Sequence, residues 1–127
     1  MNPDVNCLNW FEIPVTDMER AKHFYQVIFS IHMNEQVMGP VHMAFFPSTP
    51  GNGKVSGALA KADFYRPSHD GVVIYLNANP DLAPILEKVE GVGGRVIMPK
   101  TEISPEYGYM AVFIDTEGNR VALHSQQ

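Results

Sequence analysis

One passage occurs twice in this chain. Trp10-Phe11-Glu12-Ile13-Pro14-Val15-Thr16-Asp17 reads as a strand running straight into a capped helix. Val72-Val73-Ile74-Tyr75-Leu76-Asn77-Ala78-Asn79-Pro80-Asp81 repeats that plan. The residues after each copy are also alike. Met43-Ala44-Phe45-Phe46 parallels Met110-Ala111-Val112-Phe113, and Gly57-Ala58-Leu59 parallels Val121-Ala122-Leu123. Two copies at this spacing are too few for a solenoid. A duplicated supersecondary unit, with the copies joined side by side, is the economical reading.

In the first copy, Leu8 to Val15 has strand composition. Thr16-Asp17-Met18-Glu19 then has the form of a capping box, with Thr16 as cap and Glu19 reaching back. Ala21, Phe24, Tyr25, Ile28 and Phe29 fall at helical spacing, so the pattern predicts a helix over 17–29. Strands are expected at Ile31–Val37, His42–Phe46 and Val55–Leu59, separated by Met38-Gly39-Pro40 and the loop Ser48–Lys54. In the second copy the strand is Val72–Asn77. Asn79 is the expected cap and Pro80 the first helical residue. Leu82, Ile85, Leu86 and Val89 form the apolar stripe, and Gly93-Gly94 stop the helix. Strands are expected at Arg95–Met98, Tyr109–Ile114 and Arg120–His124. Asp115-Thr116-Glu117-Gly118-Asn119 turns the chain between the last two.

The expectation is an α+β protein of two βαβββ modules forming a paired half-barrel with an internal cup. The modules are 7–60 and 71–126, with a linker at 61–70, in a single domain over 1–127. A chain of 127 residues can bury a core unaided. The nine Lys and Arg are scattered under a net charge of −5, which argues against a nucleic-acid partner. No apolar run reaches membrane-span length. The lone Cys7 excludes an internal disulfide, and the polar N-terminus lacks the plan of a signal peptide. A soluble, cytoplasmic protein is expected.

Strand-Val-Thr-Asp-helix with Phe24-Tyr25 inside it, the paired βαβββ plan and the closing Asp115-Thr116-Glu117-Gly118-Asn119-strand together resemble the vicinal oxygen chelate superfamily. Glyoxalase I, bleomycin-resistance proteins and extradiol dioxygenases belong to it. The resemblance covers about residues 7–126, and within the group it is to glyoxalase-like proteins of unknown specificity. It implies a divalent metal held by a His or Gln on the first strand, a Glu on the fourth, a His on the fifth and a Glu on the eighth. Aligned on the Val-Thr-Asp and Glu-Gly-Asn landmarks, those positions hold Trp10, Ala58, Val72 and Ala122, none of which can ligate. A slip of one residue offers Asn9, Gly57, Gly71 or Val121, which are no better. The expectation is no metal and no cofactor.

Alternation places Trp10, Glu12 and Pro14 toward the cup, with Val72, Ile74 and Leu76 beside them. Phe11, Ile13, Val15, Val73 and Tyr75 then lie under the helices. Met43, Phe45, Met110, Val112, Ala122 and His124 point into the cup as well, and small Ala58 and Ala122 leave room in it. This is the composition of a small-molecule pocket, with apolar walls and few polar groups, although side chains alone can also fill a small barrel.

Glu12 is the foremost candidate. It could act as general acid or base, anchor a ligand, or be satisfied by a neighbouring strand. His124 is a second pocket candidate and a possible partner for it. His42 reads as structural, His23 and His32 as surface positions, and His69-Asp70 as an incidental metal pair at most. Lys100–Tyr109 reads as a loop, with Tyr107 and Tyr109 as a gate.

Three functions are compatible with this pattern: a metal-independent binder of a small, partly apolar molecule, a metal-independent lyase or isomerase using Glu12, or an interaction module with a filled cup. A homodimer is expected.

Overall fold

The computed structural model describes residues Met1–Gln127. The first module contains β1 (Trp10–Pro14), α1 (Met18–Phe29), β2 (Asn34–Met38), β3 (Val41–Phe45) and β4 (Ser56–Lys61). The second contains β5 (Tyr75–Asn77), α2 (Ala83–Val89) with a 3-10 turn at Glu90–Val92, β6 (Arg95–Ser104), β7 (Gly108–Ile114) and β8 (Arg120–Ser125). The expected βαβββ order holds in both.

Each module folds its strands into one four-stranded sheet, in the orders β1-β4-β3-β2 and β5-β8-β7-β6. The first strand of each module runs parallel to the last, with Glu12 opposite Ala58 and Tyr75 opposite Ala122. The other pairings are antiparallel. The same topology twice is what a duplication requires. The sheets form no closed barrel.

One cluster of buried residues spans both modules on the helix side of the sheets. Phe24 and Tyr25 of α1 are fully buried, and Phe24 lies 5.6 Å, centroid to centroid, from Phe113 of β7. The adjacent pair that marked the helix in the sequence thus ties the first helix to the second sheet. The apolar stripe is buried as expected, with Leu82 just before α2 and Val89 at its end buried and Ile85 and Leu86 packed on the same cluster. A separate group, Met43, Ala58 and Ala60 with Val41, Phe45 and Tyr65 packed on it, covers the inner face of the first sheet.

Both helix starts differ from expectation. In α1 the cap is Asp17, whose Oδ1 accepts from the Arg20 amide at 3.0 Å. Thr16 is not the cap because its amide and hydroxyl are both bonded to Glu117. In the second module Asn79 and Pro80 precede the helix. The backbone of 78–80 continues alongside the C-terminal residues: Ala78 donates to the His124 carbonyl, Gln126 to Asn79 Oδ1 and Gln127 to the Pro80 carbonyl. With that backbone occupied, α2 starts at Ala83, whose amide bonds Asp81 Oδ1.

Lys100–Tyr109 is also not a loop. Strand β6 continues to Ser104, and only Pro105, Glu106 and Tyr107 turn the chain. Register shifts along β6 let this long strand follow β7 despite Pro99, which lies where the pairing is interrupted.

Candidate functional site

Glu12 lies at the centre of β1, half-buried and opposite Ala58. Its two oxygens take different partners. The Tyr65 hydroxyl donates to Oε1, and Trp10 Nε1 donates to Oε2 at 3.3 Å. The Glu12 carboxylate, and then burial, push the Tyr65 phenol above its ordinary range. Tyr65 comes from the segment between the modules, which the sequence offered only as a linker. The fold lays it over the inner face of the first sheet.

Around Glu12 the candidates divide. Val72 and Ile74 line the same hollow as Glu12, a space of about 230 Å³ at the seam between modules. Pro14, Ser68, Asp70 and Asn119 also line it, as do two arginines, Arg66 and Arg120. Val112 lines a neighbouring hollow of about 260 Å³ with Val73, Tyr75, Ile97 and Met98. Arg120 borders both. Trp10, Met43, Phe45 and Ala58 pack together instead, with the Trp10 and Phe45 rings 5.9 Å apart. Met110 and Ala122 lie on β7 and β8, with Met110 opposite His124 and Val112 opposite Ala122.

Three expectations fail. First, the faces expected for Val72–Asn77 are exchanged at Val73, Tyr75 and Leu76, and Ile74 packs against the helix-side core as well as bordering the seam hollow. Leu76 is buried in the helix-side core, whereas Tyr75 is 52% exposed and lines the inner hollow with Val73. The run Val72-Val73-Ile74-Tyr75-Leu76 has no polar alternation, so its pattern cannot choose a face. The pairing with Ala122 chooses it. Second, Glu12 and His124 share no hydrogen bond or ion pair. His124 Nε2 bonds the Tyr107 carbonyl across the β6–β7 turn. Third, Tyr107 and Tyr109 are not parts of a long gating loop. Tyr109 is a strand residue with Lys100 Nζ 4.6 Å above its ring, and Tyr107 is an exposed turn residue.

The remaining histidines match expectation. His42 Nε2 meets Glu35 Oε1 at 2.6 Å. His23 and His32 are exposed, and His69 lies 3.8 Å from Asp70 with both side chains largely in solvent.

The four positions that the resemblance assigns to metal ligands do not fit a divalent ion. They hold Trp10, Ala58, Val72 and Ala122, and none of these side chains offers a donor suited to such an ion. No three His, Cys, Asp or Glu side chains gather anywhere in the structure.

A further polar network joins the modules. The buried Asp115 accepts from the Tyr25 hydroxyl at 2.7 Å and from the Glu117 and Asn119 amides, each at 2.9 Å. Asn119 Nδ2 donates to the Pro14 carbonyl at 2.7 Å, and its Oδ1 accepts from the Ser68 amide at 3.0 Å. Burial raises the Asp115 carboxyl, and these bonds restrain the rise. The closing turn therefore fixes the end of β1 and one wall of the seam hollow. The sequence signalled this turn as a landmark but not as a clasp.

The largest hollow, about 640 Å³, lies elsewhere. It opens between Phe11, Phe29, Phe46 and the N-terminal residues Asn6–Leu8, shares Ile74 and Tyr75 with the inner hollows, and has no charged lining residue.

Paired βαβββ sheets with these landmarks define the glyoxalase-like class. The chain belongs to the Glyoxalase/Bleomycin resistance protein/Dioxygenase superfamily, whose family model matches residues 7–123. A glyoxylase-like domain-containing protein of Didymella fabae is 28% identical over 119 residues, 91% of either chain. A glyoxalase I mutant from Zea mays superposes with a TM-score of 0.69 at 16% identity over 94% of this chain, which spans only 46% of the maize chain. TnmS3, an antibiotic binding protein from Streptomyces sp. CB03234, is 20% identical with a TM-score of 0.63, covering 99% of this chain and 100% of its own. At these identities the two structures establish the fold alone.

Proposed function

We propose that this protein binds a small, partly apolar molecule on its inner face without a divalent metal. The observation that carries the reading is the seam hollow. Ile74 supplies apolar wall and the exposed Val72 the open rim, while Glu12, Arg66 and Arg120 supply a few polar groups that can orient a guest. The adjoining hollow adds the apolar Val73, Tyr75, Ile97, Met98 and Val112. Glu12 is the orienting carboxylate, held by Tyr65 and Trp10 rather than by a cation. The likeness in fold to an antibiotic binding protein supports binding without assigning a ligand. The largest hollow is the weaker candidate, because it lacks a charged group to fix orientation.

A thermal-shift screen over metabolite and drug-like libraries tests this. At least one compound is expected to raise Tm. Its shift is expected to shrink in Glu12→Gln and to persist in Leu8→Glu, which alters the largest hollow. The reverse pattern moves the site to that hollow, and no hit at all removes the binding reading.

Tyr75, Ile97 and Val72 leave apolar surface beside the seam, with Val72 90% exposed. This supports a second reading, a homodimer in which another copy covers that surface. Light scattering at high concentration tests it, with a dimer mass expected and a monomer mass overturning it.

A further inference from the structure

Arg120 stands out among the charged groups. It opens β8, opposite Ile114, and its amide donates to the Ser68 carbonyl at 3.4 Å. Its stem is half-buried, and its Nε is shielded from solvent with no hydrogen-bond partner. No carboxylate pairs with it. Yet Glu12 and Asp70 border the same hollow. Glu12 is hydrogen-bonded by Tyr65 and Trp10 and makes no ion pair with Arg120. Asp70 lies in an exposed turn, with its side chain 87% in solvent beside His69. Arg66 borders the hollow as well and also forms no ion pair.

An unpaired guanidinium held half-buried is costly, and an acidic group that arrives with a ligand at its outer nitrogens, Nη1 and Nη2, offsets that cost. Guanidinium is planar and presents its donors as a fork, which matches the paired oxygens of an acidic group. Arg120 also borders the apolar hollow of Val73, Tyr75, Ile97, Met98 and Val112. A molecule whose acidic group meets Arg120 can therefore lay an apolar body along that surface.

We propose that Arg120, assisted by Arg66, anchors the acidic group of the ligand, which is an apolar body bearing a carboxylate, sulfonate or phosphate. This rests on the inner-face binding reading and names its ligand class. Glu12 sharpens the selection, because its negative charge across the hollow disfavours a second acidic group.

Two fluorescent probes separate the claims. N-phenyl-1-naphthylamine is neutral, and 8-anilino-1-naphthalenesulfonate carries a sulfonate on the same ring system. Both are expected to bind the wild-type protein. Arg120→Gln is expected to weaken the sulfonate probe at least about fivefold, in line with loss of a charge-assisted bond, and to leave the neutral probe within about twofold. Lys54→Gln, in the exposed loop before β4, is expected to change neither. If Arg120→Gln weakens both probes alike, or neither, the anion anchor is overturned while inner-face binding stands. If neither probe binds the wild type, the binding reading fails and the anchor with it. Should Arg120→Gln not fold, the wild type decides. Sulfonate affinity must then fall between about 0.05 and about 0.5 M salt while neutral-probe affinity holds, and an unchanged ratio overturns the anchor.

Discussion

Glu117 Oε1 accepts the backbone amide of Asp17 at 2.8 Å. The same oxygen accepts the Thr16 amide at 2.9 Å, and Arg20 Nε reaches Oε2 at 2.7 Å. The closing turn of the second module thus clasps the start of the first helix. The two sequence landmarks of the fold, Val15-Thr16-Asp17 and Asp115-Thr116-Glu117-Gly118-Asn119, are halves of one contact. Glu117 serves the positive end of α1 much as a bound anion would, and its side chain is wholly shielded from solvent.

Replacing Glu117 by Gln is therefore expected to destabilise the protein by about 2 kcal/mol, allowing for solvent screening at half-exposed Arg20. The amide keeps one acceptor but loses the charge that Arg20 and the helix start require. Urea denaturation at neutral pH checks this. Arg20→Gln is expected to cost less, because the backbone amides still hold the carboxylate. Equal stability of wild type and Glu117→Gln would remove the clasp.

The same contact sets an acid limb. Burial pushes the Glu117 carboxyl up, but Arg20, the Asp17 and Thr16 amides and the Thr116 hydroxyl prevail and hold it at about 2, against an ordinary 4.5. A carboxyl lowered on folding stabilises fully above its unfolded pKa. That contribution is lost as pH falls from about 4.5 toward about 2. Asp115 is raised on folding, so its contribution has the opposite sign and offsets part of the loss. Stability measured from pH 6 down to pH 2.5 is expected to fall more steeply in wild type than in Glu117→Gln. Parallel curves would assign the acid limb to other groups.

Hydrophobic periodicity made the duplicated plan, the α1 face and the α2 stripe legible, because each of those elements buries one face. Legibility failed where an element is apolar throughout or where a polar group acts at long range. The exchanged face at Tyr75 and Leu76 is the first kind, and no spacing rule could have found it. Glu117 is the second: it lies 100 residues from Asp17 in sequence, and local capping rules therefore preferred Thr16. Glu12 was legible as a lone carboxylate in an apolar strand. Its partner Tyr65 was not, because 61–70 carries no periodicity. Arg120 entered the sequence reading only as the first residue of the strand Arg120–His124, and its charge at the start of a strand with alternating faces was a usable signal.

The Glu12–Tyr65 contact has a spectroscopic consequence. The phenol is raised first by its bond to Glu12 and then by burial. In Glu12→Gln the charge is gone, and Tyr65 is expected to ionise at lower pH than in wild type. Tyrosinate absorbance, taken as the difference between each protein and its Tyr65→Phe counterpart, isolates this one group. An unchanged midpoint would show that Tyr65 does not hold Glu12 in solution.

Gly57 tests how the duplicated frame was fitted to its contents. It lies opposite Phe11, and a Cβ built there would stand 2.4 Å from the Phe11 carbonyl oxygen and 2.6 Å from its ring. Both distances are inside any real carbon contact, and the backbone oxygen cannot swing aside. The matching residue of the second module is Val121, one position before the Tyr75–Ala122 pair and hence beside Ile74. A large ring against glycine in one module thus answers two branched aliphatics in the other. Gly57→Ala is expected to cost about 2 kcal/mol or more by overpacking, read as a lower urea midpoint. The double variant Phe11→Leu with Gly57→Ala, which moves the pair toward the second module's solution, is expected to recover part of that loss. A Gly57→Ala protein as stable as wild type, or no recovery in the double variant, would show that the ring of Phe11 does not dictate glycine there.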